Sequence, residues 1–277
     1  MAKETRHEGA VRTAVVERWD DAAATYEGTV EKRTRAFVAP LLERLSLVFG
    51  DLAIDVACGT GAVALELARA GAKVLAVDHS PRMVARLRER TAEFGFDEAI
   101  TTRVGDAQQL DASDALAAAT VSGFGVIFCP DIDRALTEMV RVTRPGGVVA
   151  FSAWTPMEEN GWAALSALDA GSLGFEIPLP EGFAWASERA LHRSLSSAGL
   201  ERLRIETVVG PSFQLASSEG YRDMFKAAAF SPMIHGLPAS RREPFLEAFL
   251  TQVRAIHGDG PIEIPKRAWI ASGVRPR

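Results

Sequence analysis

Cysteine is scarce. The chain has 277 residues and two cysteines, Cys58 and Cys129. Neither has a Cys or His neighbour at ligand spacing, so neither a disulfide framework nor a metal site is expected. No run approaches the roughly 18 consecutive apolar residues of a membrane-spanning helix. The opening residues, MAKETRHEGA, are polar and lack the apolar centre of a signal peptide, so export is not expected and a cytoplasmic location is. Positive charge is in deficit: 31 basic residues face 36 acidic ones, for a net charge of −5. That leaves no electrostatic footprint for nucleic acid. Lysine is rarer still, with arginine scattered in its place, a compositional bias without mechanistic content. Internal repeats and low-complexity linkers are absent. What remains is an ordinary globular balance, 47% hydrophobic and 24% charged, in a chain long enough to bury a substantial core. These exclusions point to a protein that acts on something small.

Residues 11–48 read as helical, with Val15, Trp19, Ala22, Ala23 and Tyr26 near helical spacing and Pro40 interrupting or starting a helix. From residue 52 the pattern changes to short apolar runs alternating with amphipathic segments. Strands are expected at 52–57, 73–78 and 99–106, with helices at 59–71 and 80–90. Gly71 closes the first helix; Ser80 as N-cap and Pro81 at the first helical position open the second. The alanine-rich stretch 115–122 favours helix by propensity. Its place between neighbouring elements calls for a strand, and the strand reading is adopted. A helix over about 131–143, the turn Arg144–Gly147 and a strand at 148–154 follow. Such alternation describes a mostly parallel sheet with helices on both faces. Beyond it, a helix at 187–198, a strand at 203–209 and a last strand within 266–273 are expected. Between those two strands lie two helices, near 218–229 and 240–257. The chain thus divides into an N-terminal helical cap (1–48), a core (49–155) and a C-terminal part of the same domain (156–277). A helical lid over the acceptor is expected at about 211–261.

The first strand runs into Cys58-Gly59-Thr60-Gly61 and then directly into a helix. Glycines let the backbone turn sharply and let a ligand approach, and the helix start offers free N–H groups. Asp78 ends the second strand, where a carboxylate can accept both hydroxyls of a ribose. This layout fits two cofactor classes. It matches the dinucleotide fingerprint, as Gly59-Thr-Gly61-Ala-Val-Ala64, and equally an S-adenosylmethionine site. Asp55 inside the first strand, Asp106 at the end of the third, and the Arg-Pro-Gly-Gly turn before the fifth favour the second.

The segments DVACGTG (55–61), VDHS (77–80), GDA (105–107), SGFGVIFCPD (122–131) and RVTRPGGVVAFSAW (141–154) together resemble the class I S-adenosylmethionine-dependent methyltransferases. The likeness is to the small-molecule branch that includes ubiquinone and menaquinone biosynthesis enzymes. It covers roughly residues 50–155; WDDAAATY (19–26) and the C-terminal region resemble the branch more loosely. The resemblance implies an α/β, Rossmann-like sheet of seven strands, mostly parallel with the last strand antiparallel. It places S-adenosylmethionine, leaving as S-adenosylhomocysteine, over the ends of strands one to four. Ala57, Gly59 and Gly61 would pack on its methionine part, with Asp55 orienting that region. Asp78 would hold the ribose, with His79 and Met83 beside the adenine. Asp106 and Ala107 would contact the adenine; Ser122, Gly123 and Phe124 would border the sulfonium; Tyr26 would close over it. The branch often has Phe-Asp where this chain has alanines, near 117–118.

The implied reaction moves a methyl group to an O, N or C atom of a small organic acceptor such as a quinol, phenol or polyketide. No residue announces itself as a general base; His235, His192 and Asp131 are unranked candidates. Two rivals stay open: a cyclase or non-catalytic binding protein on the same fold, and a nicotinamide-dependent oxidoreductase. Tyr221, Met224, Phe225, Phe230 and Met233 fit either packed core or a substrate-facing surface of the lid. The expected partner is the small-molecule acceptor, with no nucleic acid and no membrane span, and a homodimer stands as an open expectation.

Overall fold

The computed structural model describes residues 15–168, 182–183, 185, 187–226 and 230–277. Residues 11–14 and 227–229 of the expected helices lie outside these. Among the described residues no helix is long and apolar enough to cross a membrane. Contacts divide the chain into two compact units. The first holds residues 1–152, 191–206 and 270–277, and the second holds 153–190 and 207–269.

A seven-stranded sheet has the order β3-β2-β1-β4-β5-β7-β6. Its strands are β1 (Leu52–Val56), β2 (Lys73–Asp78), β3 (Ile100–Val104), β4 (Ala117–Gly123), β5 (Thr143–Trp154), β6 (Glu201–Leu215) and β7 (Ile262–Val274). β1 pairs in parallel with β2 and β4, β2 with β3, and β4 with β5. The order reverses direction at β1, so β1 and β4 flank the crevice where open α/β sheets bind ligands. The last strand runs the other way. Gly146 N–H donates to Arg275 O, while Thr155 N–H donates to Arg267 O, so β7 descends as β5 ascends. The core strands are buried on both faces: Ala53, Ile54, Val56, Ala76, Ala117, Ala119 and Val121 are all within a few per cent of complete burial. A near-continuous apolar run is what a doubly covered strand requires.

Helices α1 (Ala62–Arg69), α2 (Pro81–Phe94), α3 (Ile132–Val142) and α4 (Glu188–Ser197) join the first strands. The start of α2 is as expected: Ser80 Oγ accepts from Met83 N–H at 3.0 Å and Pro81 occupies the first turn; the helix runs past its expected end at 90 to Phe94, and Gly95 closes it at φ +71°. Gly71 likewise adopts φ +91° after α1.

Three expectations are corrected. The first helix begins at Ala62 rather than residue 59, because Gly59 and Gly61 take positive φ and cannot start it. The Arg144–Gly147 turn belongs to β5, forming a bulge as pairing passes from Ala117↔Thr143 to Ala119↔Val148. A side chain at Gly147 would meet Ala118 O at 2.7 Å, so the bulge needs glycine. The N-terminal helix is irregular: helical residues 15–22 lead into a π turn at Glu27–Glu31, a 3-10 turn at Arg35–Phe37 and a short helix at Val38–Leu42.

The second unit has its own core. Trp162, Tyr221, Phe225, Phe245 and Phe249 pack with Met224, Met233 and Leu250. They bring together the short helices Ala163–Ser166 and Gly220–Met224 and the long α5 (Ala239–His257). Tyr221, Met224, Phe225 and Met233 are buried in this cluster, and Phe230 tilts against Trp162 at 4.4 Å between centroids. These residues form packed core.

Candidate functional site

β1 delivers the chain to a loop that only special backbone geometry can make. Ala57, Gly59 and Gly61 all have positive φ, at 54°, 54° and 94°. Ala57 pays the Cβ strain of the left-handed region, about 1–2 kcal/mol. Phe124, at the end of β4, does the same at φ 61°. Both strained residues line one cavity, a coincidence characteristic of functional sites. A side chain at Gly61 would run into Leu87 Cδ1, so this glycine lets α2 pack against the loop. At Gly125 an added Cβ would run into Ala57, which brings the β4 loop against the β1 loop.

The cavity measures about 280 Å³ and is lined by residues of the first unit between Val15 and Pro130. Tyr26, Ala57, Gly59, Asp78, His79, Met83, Asp106, Ala107 and Phe124 all border it. Asp55, Gly61, Ser122 and Gly123 lie outside that lining. Asp55 sits wholly buried within β1, and Ser122 Oγ accepts from Val126 N–H at 3.1 Å. Gly123 makes room for Val63, whose Cγ2 would stand 2.7 Å from an added Cβ. The three candidate bases do not border the cavity. Asp131 caps α3 through Arg134 N–H at 2.9 Å, and His192 and His235 are exposed.

Asp78 organises the site. Its Oδ2 accepts from Gly59 N–H at 2.8 Å and its Oδ1 from Ser80 N–H at 2.9 Å. It therefore ties the β1 loop to the start of α2 and keeps a lone pair on each oxygen for a further donor. Burial raises its carboxyl above the usual range, opposed by His79 and by those two amides. Neither carboxylate oxygen of Asp55 has a partner at full hydrogen-bond geometry, the Ala64 amide being the polar group that faces them. Burial raises its carboxyl strongly; the Ala64 amide offsets this in part and the charge of Asp78 adds to it. Burial, then Asp78 and Glu31, raise the Tyr26 phenol too, which keeps it protonated. Asp106 accepts from the Gln108 backbone at 2.9 Å. Cys129, also on the wall, is pushed up to about 12 by burial and by Asp106.

Sequence reading missed the groups behind the loop. Glu31, Arg90 and Thr60 form a buried cluster, and Asp20 accepts from Ser80 Oγ and from Arg82 N–H. Trp19 stacks edge-on with Phe128 at 5.0 Å between centroids, and both border the cavity. Acids at 20, 27 and 31 and arginines at 82, 86 and 90 have visible helical spacing. Nothing in one sequence says that the two rows face each other.

A family model described as a methyltransferase domain matches residues 53–147, the segment that holds β1 to the β5 bulge and most of the cavity wall. Residues 53–147 form a methyltransferase domain. A malonyl-[acyl-carrier protein] O-methyltransferase of Pectobacterium atrosepticum is 33% identical over 141 residues, 51% of this chain and 53% of that protein. The matches to curated relatives span between 38% and about half of those proteins' length. Among solved structures, the [4+2]-cyclase SpnF superposes with a TM-score of 0.57 at 22% identity, over 88% of this chain and 81% of that one. Phosphoethanolamine N-methyltransferase 2 of Haemonchus contortus, solved with S-adenosyl-L-methionine, does so with 0.53 at 15% identity, over 87% and 52%. At such identities the superpositions establish the fold.

Proposed function

We propose that the protein transfers a methyl group from S-adenosylmethionine to an O, N or C atom of a small organic acceptor. The observation that carries this reading is the cavity at the β1–β4 crevice of a methyltransferase domain, walled by the strained Ala57 loop, Asp78 and Asp106. The residues fit the cofactor. Asp55 carries two buried oxygens without a partner at full hydrogen-bond geometry and His79 a buried Nε2 without one, beside a glycine cradle that a side chain would fill. Asp78 would take the ribose, Asp106 and Ala107 the adenine with His79 and Met83 beside it, and Ala57 with Gly59 the methionine part. Asp55 and Gly61 shape that region from behind, and Ser122, Gly123 and Phe124 border the sulfonium, with Tyr26 above.

Bound there, S-adenosylmethionine supplies a methyl group already activated by its sulfonium. The chain's own contribution is then alignment and exclusion of water, which can provide roughly 7–11 kcal/mol of a barrier. The neutral Tyr26 phenol can donate a hydrogen bond but cannot abstract a proton. Where the acceptor must lose a proton, that proton passes to solvent or to a base other than Tyr26. We propose segment 211–261, which runs from the end of β6 to the start of β7, as the acceptor lid.

Labelled S-adenosylmethionine with quinols, phenols and polyketides tests the reaction: methylated product is expected, and tight binding without turnover would favour a cyclase or binding protein. Titration with S-adenosylhomocysteine and NADH tests the cofactor. A chain that took NADH and refused S-adenosylhomocysteine would overturn the reading. Asp106→Ala is expected to weaken S-adenosylhomocysteine by about 1–3 kcal/mol, roughly 5- to 150-fold. Replacing 211–261 by a tight turn is expected to abolish turnover with cofactor affinity held within a few-fold, and loss of cofactor binding would refute that assignment.

A further inference from the structure

Arg90 and Glu31 form a two-pronged ion pair out of water. Arg90 Nη1 donates to Glu31 Oε2 at 2.6 Å and Nη2 to Oε1 at 3.0 Å, with both residues at most 5% exposed. The pair closes on the middle of the glycine loop. Thr60 Oγ1 donates to Glu31 Oε2 at 2.7 Å, and Arg90 Nη1 donates to Thr60 O at 2.9 Å. Thr60 is fully buried, so these bonds have no water to replace them.

Glu31 reaches the loop because of the π turn. Residues five apart on an α-helix lie about 140° from each other around the axis. Here Glu31 N–H donates to Tyr26 O at 3.0 Å, and this wider i→i+5 turn rotates the two side chains toward one face. Tyr26 then lies over Gly59, its Cε1 3.5 Å from where a Cβ would stand, while Glu31 holds Thr60. Consecutive loop residues are thus gripped by the two ends of one turn. Outside the buried pair, Arg86 Nε donates to Glu27 at 2.6 Å and Arg82 N–H to Asp20 at 3.0 Å, so the N-terminal segment lies along α2 by a row of acids against its 82, 86 and 90 positions.

We propose that Glu31, Arg90 and Thr60 are positioning residues for the cofactor loop, so that docking of the N-terminal segment and occupation of the cavity favour one another. The inference rests on the cofactor reading above. By linkage, a ligand that needs the gripped loop must strengthen segment docking by the same factor by which docking strengthens the ligand.

The test reads hydrogen–deuterium exchange of the loop peptide 57–65 in the full chain, alone and with S-adenosylhomocysteine. Thr60→Val keeps the volume and loses the hydroxyl, whereas Thr60→Ser keeps the hydroxyl and loses the methyl. Thr60→Val is expected to speed loop exchange and to weaken S-adenosylhomocysteine about tenfold each, the loss of one charge-assisted bond. β4 and β5 should keep their protection, and Thr60→Ser should stay near wild type. A packing role predicts the reverse order of the two variants and would overturn the proposal. In wild type, S-adenosylhomocysteine is expected to slow exchange over residues 15–31; in Glu31→Gln at saturation it is not, and equal slowing in both would overturn the coupling. Faster loop exchange in Thr60→Val alongside a wild type that ignores S-adenosylhomocysteine would uphold the positioning role and fell the cofactor reading instead.

Discussion

In the first unit the side chains withdrawn from water include Glu31, Asp55, Asp78 and Arg90 together with small aliphatic residues of the sheet. In the second, the centre is a set of rings: Trp162 stands 5.5 Å from Tyr221 and 5.4 Å from Phe225, and Phe249 lies 5.2 Å from both. Two of its buried polar contacts are neutral: Tyr221 Oη donates to Gly161 O and Asn160 Nδ2 donates to Thr155 O. Rings supply area and shape, and edge-to-face pairs add about 0.5–1.5 kcal/mol each. Buried charge is costly unless it is paired, and breaking a pair costs about 3–5 kcal/mol. A fold that keeps buried Asp55 and paired Glu31 around one loop is spending stability on a site. Among the described residues of the second unit, the buried charged side chain is Lys266, whose ammonium stands over the Phe213 ring at 5.8 Å.

The comparison can be broken most sharply by Phe249→Ala, which empties the middle of the ring cluster and is expected to cost about 3–5 kcal/mol. Chemical denaturation should show that loss, while S-adenosylhomocysteine affinity stays within about twofold, since no residue of the ring cluster lines the cavity. A parallel fall in affinity would mean that the site is not the first unit's own. Next comes Gly61→Ala, expected to cost about 2–5 kcal/mol, since left-handed strain and overpacking against Leu87 combine. Gly59→Ala should cost only about 1–2 kcal/mol from the backbone, because its Cβ would meet Tyr26 at an ordinary 3.5 Å. Thermal melts of the two variants in the opposite order would contradict this description of the loop. Asp78→Ala removes the acceptor for Gly59 and Ser80 and is expected to weaken S-adenosylhomocysteine by at least about tenfold, at 1.5–3 kcal/mol per bond.

The smallest effect carries a pH signature. The Asp55 carboxyl is raised in the folded state, so the native chain holds that proton more tightly than the unfolded one. The associated stability is complete below about pH 4, the unfolded value, and is lost as pH rises toward the folded value. Asp78 is raised too and adds a loss of the same sign. Asp55→Asn removes the first contribution, so the variant should gain on wild type as pH rises from about 4 to 8. Each kcal/mol recovered is worth about 2–4 °C in Tm. A difference in Tm that stayed constant with pH would show that Asp55 is not an uncompensated buried acid.

Much of this was legible before the structure. Alternating short apolar runs and capped helices imply a parallel sheet. Ser80 and Pro81 open α2 through local geometry alone. Gly59, Gly61, Asp78 and Asp106 mark strand ends because each acts within a few residues of its own strand. The alanines at 117–119 were ambiguous, since their helix propensity is a weak local preference; pairing with Ala53 and Val148 on either side overrides it. The ring set of 221–233 could not be assigned between core and surface without Trp162, Phe245 and Phe249, which pack on it from distant positions.

The sequence by itself determined the sheet, the glycine loop and the acids at its rim, since periodicity, capping and turn chemistry are set by neighbouring residues. Tertiary structure alone decided the π turn that puts Tyr26 and Glu31 on one face, the closure of Arg90 on Thr60, and the burial of Asp55. Each of these depends on which surfaces meet across tens of residues of chain, and the low dielectric that makes them matter exists only once the surfaces have met.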